Sequence, residues 1–435
     1  MKKRGAFRRI FVLLTLTLAI VVGINACKAR NEQQKTVIHF VTWKPNIPEV
    51  WDKIYEIFEK ENPDIKIEKQ IGPHSSTAFH DMLTQKLKNR STDVDVFLMD
   101  VVWPAEFAAS GWAMPLDRFF SPELKKEFLE GPLMANTYKG HIYGLPLFID
   151  AGVLYYRKDL LQKYSLEPPE TWDELVSVAQ EIVEKERASG NKIYGYSGQF
   201  KQYEGLVCDM QEFILSNGGY ILEPETNRVA IADPRAVQAV RFVRDNIIGK
   251  IAPRGVLTYQ EPESLDLFVQ GRAVFHRNWP YAWKVSNDPK KSRIAGKVGI
   301  SVLPHFKGGR SFSTLGGWQV GISAYTPNPE AAWRFASFLA SERVQKLIAL
   351  MAGKAPTRKS LYRDKEILEK NPHFTKMKDV FLNAYPRPRS PLYPSISEVL
   401  QRYLSRAISD PDSDVDTLAK EAKEQIEKIL SLTRK

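Results

Sequence analysis

Val37-Ile-His-Phe-Val-Thr-Trp43 reads as a strand, Glu49–Glu61 as an amphipathic helix and Asp64-Ile-Lys-Ile-Glu-Lys-Gln70 as a second strand. Thr77–Asn89 follows as a helix and Val94-Asp-Val-Phe-Leu-Met99 as a short buried strand. Asn62-Pro63 marks the break after the first helix, because the residue before a proline is pushed out of the helical region. Strand–helix alternation at this spacing predicts a parallel sheet with right-handed crossovers, and so an α/β fold.

The same pattern extends outward. Ile142–Tyr156 is strand-rich around Gly144-Leu-Pro146. Pro169-Glu-Thr171-Trp-Asp-Glu174 opens a helix in which Thr171 caps the N-terminus and Glu174 completes a capping box. Helical patterns recur at Asp233–Asn246, Pro262–Gln270, Glu330–Leu350 and Asp414–Leu432, and Gln319–Ile322 reads as a strand. The chain has 435 residues. At roughly 100–200 residues per domain, that length predicts two or three domains.

A hydrophobic share of 43% with 26% charged residues is globular and excludes a disordered or collagen-like chain. The formal charge of +11 exaggerates the basic character, since Lys2, Lys3, Arg4, Arg8 and Arg9 stand in a stretch 1–26 without acids. The remaining lysines alternate with glutamates, as in Glu181–Arg187, so nucleic acid is not an expected partner.

The basic stretch leads into an apolar run, Ile10–Val22, too short for the roughly 20 residues of a membrane span. It reads as a signal peptide, 1–26. Ile24, Ala26 and Cys27 match the lipoprotein pattern of an aliphatic at −3, a small residue at −1 and then cysteine. Cys27 is then the lipidated residue, and 27–35 a polar tether holding an exported protein at the outer face of a membrane. Plain cleavage near Ala26 is the alternative. Cys208 is left without a disulfide partner and is expected to pack within the apolar-rich stretch Leu206–Ile214.

In open α/β sheets ligands bind beyond the carboxyl ends of the strands. Asp100 stands at such an end and Asp150 interrupts an apolar run. Ionised carboxylates there suit adjacent sugar hydroxyls; a helix N-cap for Asp100 and a turn for Asp150 are equally open. Asn278-Trp-Pro-Tyr-Ala-Trp283 and Leu315-Gly-Gly-Trp318 set aromatics beside turn formers, as a saccharide pocket needs for the apolar face of a pyranose. Gly316-Gly317 either lets backbone approach a ligand or forms a turn before the strand. The histidines show no metal-ligand spacing, no phosphate loop is present, and no metal or cofactor is expected. The alternative class is an exported glycoside hydrolase using Asp100 and Asp150.

These segments resemble the extracellular solute-binding proteins of sugar ABC importers. The resemblance is carried by Asp95–Asp100, Ala109–Asp117, Tyr143–Pro146, Leu154–Leu160, Pro169–Leu175, Lys201–Asp209, Asn278–Trp283, Leu315–Ser323 and Arg387–Pro394, in order along the chain. The trehalose/maltose-binding proteins are the most similar.

The resemblance implies a two-lobed periplasmic-binding-protein fold, type II-like. The N-terminal lobe would be 36–147 plus about 312–366, and the C-terminal lobe about 150–305 plus 369–435. The hinge would lie near Leu147–Gly152, with further crossings near 305–315 and 365–370. It implies a monomer without catalytic residues that captures a disaccharide and presents its closed form to permease subunits. By matching position the ligand contacts are Glu49, Asp100, Asp150, Trp279, Tyr281, Gly317, Trp318 and Arg387. Phe148 and His80 stand where relatives often carry tyrosine and arginine, and are expected to tune specificity.

Overall fold

The computed structural model describes residues 35–432 apart from Glu225. The leader 1–26, Cys27 and the tether before Lys35 lie outside the described residues. Besides a two-stranded ribbon of Thr137–Tyr138 and His141–Ile142, the strands are β1 (Thr36–Thr42), β2 (Ile65–Ile71), β3 (Val96–Asp100), β4 (Leu145–Ala151), β5 (Val153–Arg157), β6 (Tyr194–Ser197), β7 (Ala273–Asn278), β8 (Val298–Ser301), β9 (Ser313–Ile322), β10 (Ala355–Pro356) and β11 (Ala384–Tyr385). One sheet has the order β10-β4-β9-β3-β1-β2, with β11 beside β9, and a second has the order β8-β5-β7-β6. All residues of β3 and β4 are buried, as expected of strands covered on both faces by helices.

In the first sheet the parallel pairing expected from the strand–helix alternation is found among β1, β2 and β3 and in the short contact of β11 with β9. β9 runs antiparallel between β3 and β4, and in the second sheet only β6 and β7 are parallel. The reason is long-range. β9 starts at Ser313, after every strand of the second sheet, and re-enters the first sheet from the opposite side. Nothing in local periodicity encodes that return.

The longer helices are α1 (Pro48–Glu61), α2 (Ser76–Lys88), α3 (Trp172–Ala188), α4 (Glu204–Ser216), α5 (Pro234–Phe242), α6 (Glu261–Val269), α7 (Pro329–Leu339), α8 (Glu342–Ala352), α9 (Tyr393–Ser409) and α10 (Val415–Ser431). Val50, Trp51, Ile54, Tyr55 and Phe58 give α1 one buried stripe at helical spacing. The Thr171 capping box forms as expected. The run Glu330–Leu350 is two helices rather than one, because Ser341 caps the second by accepting from the Val344 amide at 3.3 Å. Asp233–Asn246 likewise ends early as an α-helix, passing into a π turn over Val243–Ile247.

Three apolar clusters hold these layers. The first gathers Phe40, Phe97 and Leu98 under the first sheet, and the second Trp172, Met210, Phe275 and Leu400 around the second sheet with α9 and α10. The third includes Ile149, Ala151, Tyr155 and Phe268, so the passage from β4 to β5 is itself packed. Gly152 makes that passage. A Cβ there would lie 2.7 Å from Arg277 Nη2 and would clash with Glu212, so only glycine fits beside this ion pair.

Candidate functional site

Three neighbouring strands of the first sheet make the floor of a cleft. In the register of β9 with its neighbours, Trp318 pairs with Asp100 on β3 and Gly316 with Asp150 on β4. Gly316 and Gly317 therefore lie inside a ten-residue strand, not in a turn ahead of it. Each is needed for a close approach. A Cβ on Gly316 would lie 3.0 Å from Trp279 Cζ3. Gly317 has φ +134°, and its Cβ would meet the Phe148 carbonyl oxygen at 2.6 Å. Trp318 stacks on Trp43, the residue after β1, at 4.3 Å and 15°. Trp279 and Tyr281 arrive from the second sheet, in the turn that follows β7. The cavity is open at its mouth and holds about 70 Å³ of space for a water-sized sphere's centre.

Charge in the cavity is arranged around two cations. Arg387 donates from Nη2 to Asp100 Oδ1 at 2.8 Å and from Nη1 to Glu204 Oε1 at 2.6 Å. Asp100 belongs to the first sheet and Glu204 opens α4 beside the second, so one guanidinium bridges the cleft. Glu204 also accepts from the Tyr393 hydroxyl at 2.6 Å and from Ser397 Oγ, while its amide donates to Thr77 Oγ1 of α2 at 3.1 Å. Lys354, placed by β10 beside β4, donates to Asp150 Oδ2 at 3.0 Å and sits 4.3 Å from the Phe148 ring centroid. Glu261 accepts from Trp279 Nε1 at 3.1 Å, with His74 at 4.0 Å.

Burial raises the carboxyls of both Asp100 and Asp150 against the pull of Arg387 and Lys354 respectively. Burial likewise raises the Cys208 thiol, which lines the cavity from α4. Asp150 Oδ1, Arg387 Nε and the Tyr281 hydroxyl are buried without a hydrogen-bond partner among the described residues. Such groups are costly unless something else satisfies them, and all three residues line the cavity.

Of the residues expected to contact a ligand, Asp100, Asp150, Trp279, Tyr281, Gly317, Trp318 and Arg387 all line this cavity. Neither alternative part is taken: Asp100 accepts from the Val102 amide at 3.3 Å but the N-cap of the following helix, Pro104–Ala109, is Trp103, and Asp150 lies within β4 and not in a turn. Three residues are placed elsewhere. Glu49 is exposed in the first turn of α1. His80 lines a neighbouring groove and faces Glu106 at 2.6 Å. Phe148 is buried beneath Lys354 and packs near Trp43 at 6.2 Å, lining a side recess.

The cavity adds Trp43, His74, Glu204, Glu261 and Lys354. Trp43 directly follows the end of β1, as Asp100 closes β3, so the strand-end rule would have found it. The other four carry no local signal. Trp103, Trp112 and Trp172 are buried in the core, and Trp103 supports Trp318 edge-on at 5.6 Å. Among the described residues no group of three or more His, Cys, Asp or Glu side chains is placed to hold a metal ion, and no helix is long and apolar enough to cross a membrane.

Two α/β lobes meeting over a polar cleft with aromatic walls define a solute-binding protein of the two-lobed class. Residues 41–346 match the family described as bacterial extracellular solute-binding protein. A probable ABC transporter-binding protein of Deinococcus radiodurans is 38% identical over 338 residues, covering 78% of this chain and 80% of that one. The maltotriose-binding protein of Pyrococcus abyssi is 26% identical, covering 90% and 81%. Among solved structures, maltose-bound T. maritima MalE3 superposes with a TM-score of 0.85 at 41% identity, covering 90% of this chain and all of the other. The chain belongs to the bacterial extracellular solute-binding proteins.

Proposed function

We propose that this protein captures a disaccharide, trehalose, maltose or a related α-glucoside, and delivers it to an ABC importer by closing its lobes around the sugar. The lobes would be 36–147 plus about 312–366 and about 150–305 plus 369–435, turning about the crossings near Leu147–Gly152, 305–315 and 365–370. Cys27 would anchor the protein to the outer face of the membrane.

The observation that carries the reading is that the two halves of a sugar site come from different sheets. Asp100, Asp150 and Trp318 stand on the first, Trp279 and Tyr281 beside the second. A ligand touching both binds the closed form better than the open one and so shifts the population toward it. Similarity to proteins named for maltose and maltotriose supports an α-glucoside. The family consists of binding proteins, and no observation favours the glycoside hydrolase alternative.

Titration calorimetry against trehalose, maltose, sucrose, glucose and glucosylglycerate tests this. Micromolar or tighter binding of trehalose or maltose is expected, and silence with every di- and oligosaccharide would overturn the sugar assignment.

A further inference from the structure

The cavity is short of positive charge. Asp100, Asp150, Glu204 and Glu261 line it against only Lys354 and Arg387, with His74 at the mouth. Both cations are already engaged, Arg387 by Asp100 and Glu204, and Lys354 by Asp150. Among the described residues lining the cavity, no guanidinium or ammonium is left over for an anionic ligand. The layer beneath does not change the balance, because Arg277 under Trp279 lies between Glu212 and Asp209.

Glu261 has no cation at hydrogen-bond distance among the described residues, since His74 Nε2 stands at 4.0 Å. It sits in the first turn of α6, at the positive end of the helix dipole. A second observation points the same way. Asp150, 4% exposed, and Tyr281, 2% exposed, both line the cavity, and Asp150 Oδ1 and the Tyr281 hydroxyl are buried without a hydrogen-bond partner among the described residues. After burial, the charges of Glu261 and Asp150 are among the causes that raise the Tyr281 hydroxyl, so the two carboxylates act on one spot.

We infer that the cavity prefers a saccharide carrying an amine, its ammonium group drawn to the side of the site where Asp150 and Glu261 stand. This deepens the α-glucoside reading and rests on it. The ammonium would give Asp150 Oδ1 the donor it lacks and Glu261 the countercharge it lacks, in a setting where charge-assisted bonds are about twice as strong as neutral ones. A saccharide carrying a carboxylate meets the opposite field and binds less well than its neutral parent.

The test is calorimetry of the full chain with trehalose, with trehaloses bearing a single amine at carbon 2, 3, 4 or 6, and with trehalose oxidised to a carboxylate at carbon 6. Maltose and its amines serve in parallel. At pH 7 and low salt the best amine is expected to bind about ten-fold more tightly than its parent, and the carboxylate more weakly than the parent. Glu261→Gln, which keeps an acceptor for Trp279 Nε1, should bring the amine-to-parent ratio toward one, and high salt should shrink it in the unsubstituted chain. Neutral sugars binding with no gain from any amine would overturn this inference alone. A gain that survives both Glu261→Gln and high salt would also overturn it. Failure of trehalose, maltose and every analogue would overturn the α-glucoside reading and the inference with it.

Discussion

Two arginines are buried almost completely, Arg277 at 1% exposure and Arg387 at 2%, and each grips two carboxylates. They do different things. Arg277 holds Glu212 through Nε at 2.8 Å and Nη2 at 2.6 Å, with Asp209 at 3.0 Å and Gln199 Oε1 at 3.1 Å. All of these belong to the second sheet and α4 or the turn between them, and Glu212 also accepts from the Thr314 amide of β9 at 3.0 Å. Arg387 instead joins Asp100 of the first sheet to Glu204 of α4. Apart from the Thr314 bond the first network stays beside the second sheet, whereas the second joins the strand end of the first sheet to α4. Buried ion pairs are thus a scaffold beside one sheet in one place and a bridge between the two sheets' elements in the other, and the difference lies in where the partners are attached.

The largest expected effect tests the scaffold. Arg277→Met leaves Glu212 and Asp209 buried without a countercharge, and breaking such a network costs about 3–5 kcal/mol, readable by urea denaturation. Arg387→Met should cost distinctly less stability, because Asp100 and Glu204 line a cavity that water can enter. It should instead weaken sugar binding by about 30-fold or more, since truncating one member of a buried bridging pair costs roughly 2 kcal/mol or more. Equal losses of stability in the two variants would break the comparison.

His276, next to Arg277, sharpens it further. Burial is the main cause, with the Arg277 charge adding to it, that lowers its pKa to about 3. The bond at 3.2 Å to the Ser197 carbonyl leaves Nε2 to accept from Asn278 Nδ2 at 3.0 Å. The unfolded chain takes up this proton below the ordinary histidine value of 6.5 and the folded chain does not. Stability is therefore full above that value and falls as pH drops from 6.5 toward 3, by up to about 1.4 kcal/mol per pH unit for one group. His276→Phe should flatten the acid limb of a stability–pH curve, and an unchanged slope would assign that limb to other groups.

The smallest effect concerns Trp279, which lies against Arg277 at 4.1 Å and against Gly316. Gly316→Ala should shift the ring by a few tenths of an ångström and weaken binding about three-fold, roughly 0.7 kcal/mol, with little change in melting temperature.

What could be read from the chain itself follows the range of the interaction. The elements from Thr36 to Asp100 and the Thr171 cap rest on local periodicity and turn chemistry, and they stand within a few residues of where they were expected. The antiparallel β9 could not be read, since its place depends on pairing with strands more than 160 residues earlier. The site divides in the same way. Asp100 and Asp150 were legible from position along strands. Glu204, Glu261 and Lys354 acquire meaning only from what faces them across the cleft, and a glutamate opening a helix is commonplace. Glu49 shows the converse: expected as a contact by matching position, it is exposed in the first turn of α1 and is not among the residues lining the cavity.

The position of β9 has a consequence in time. Its strand partners β3 and β4 are complete by Ala151, but β9 itself begins at Ser313. At about 5–20 residues per second of synthesis, the first sheet waits roughly 10–30 s for its middle strand. Until then β3 and β4 each present an open edge that no other strand of the fold fills. A chain built this way is slow to commit to its native form while it is being made. That delay suits a chain of an extracellular family, whose members are exported.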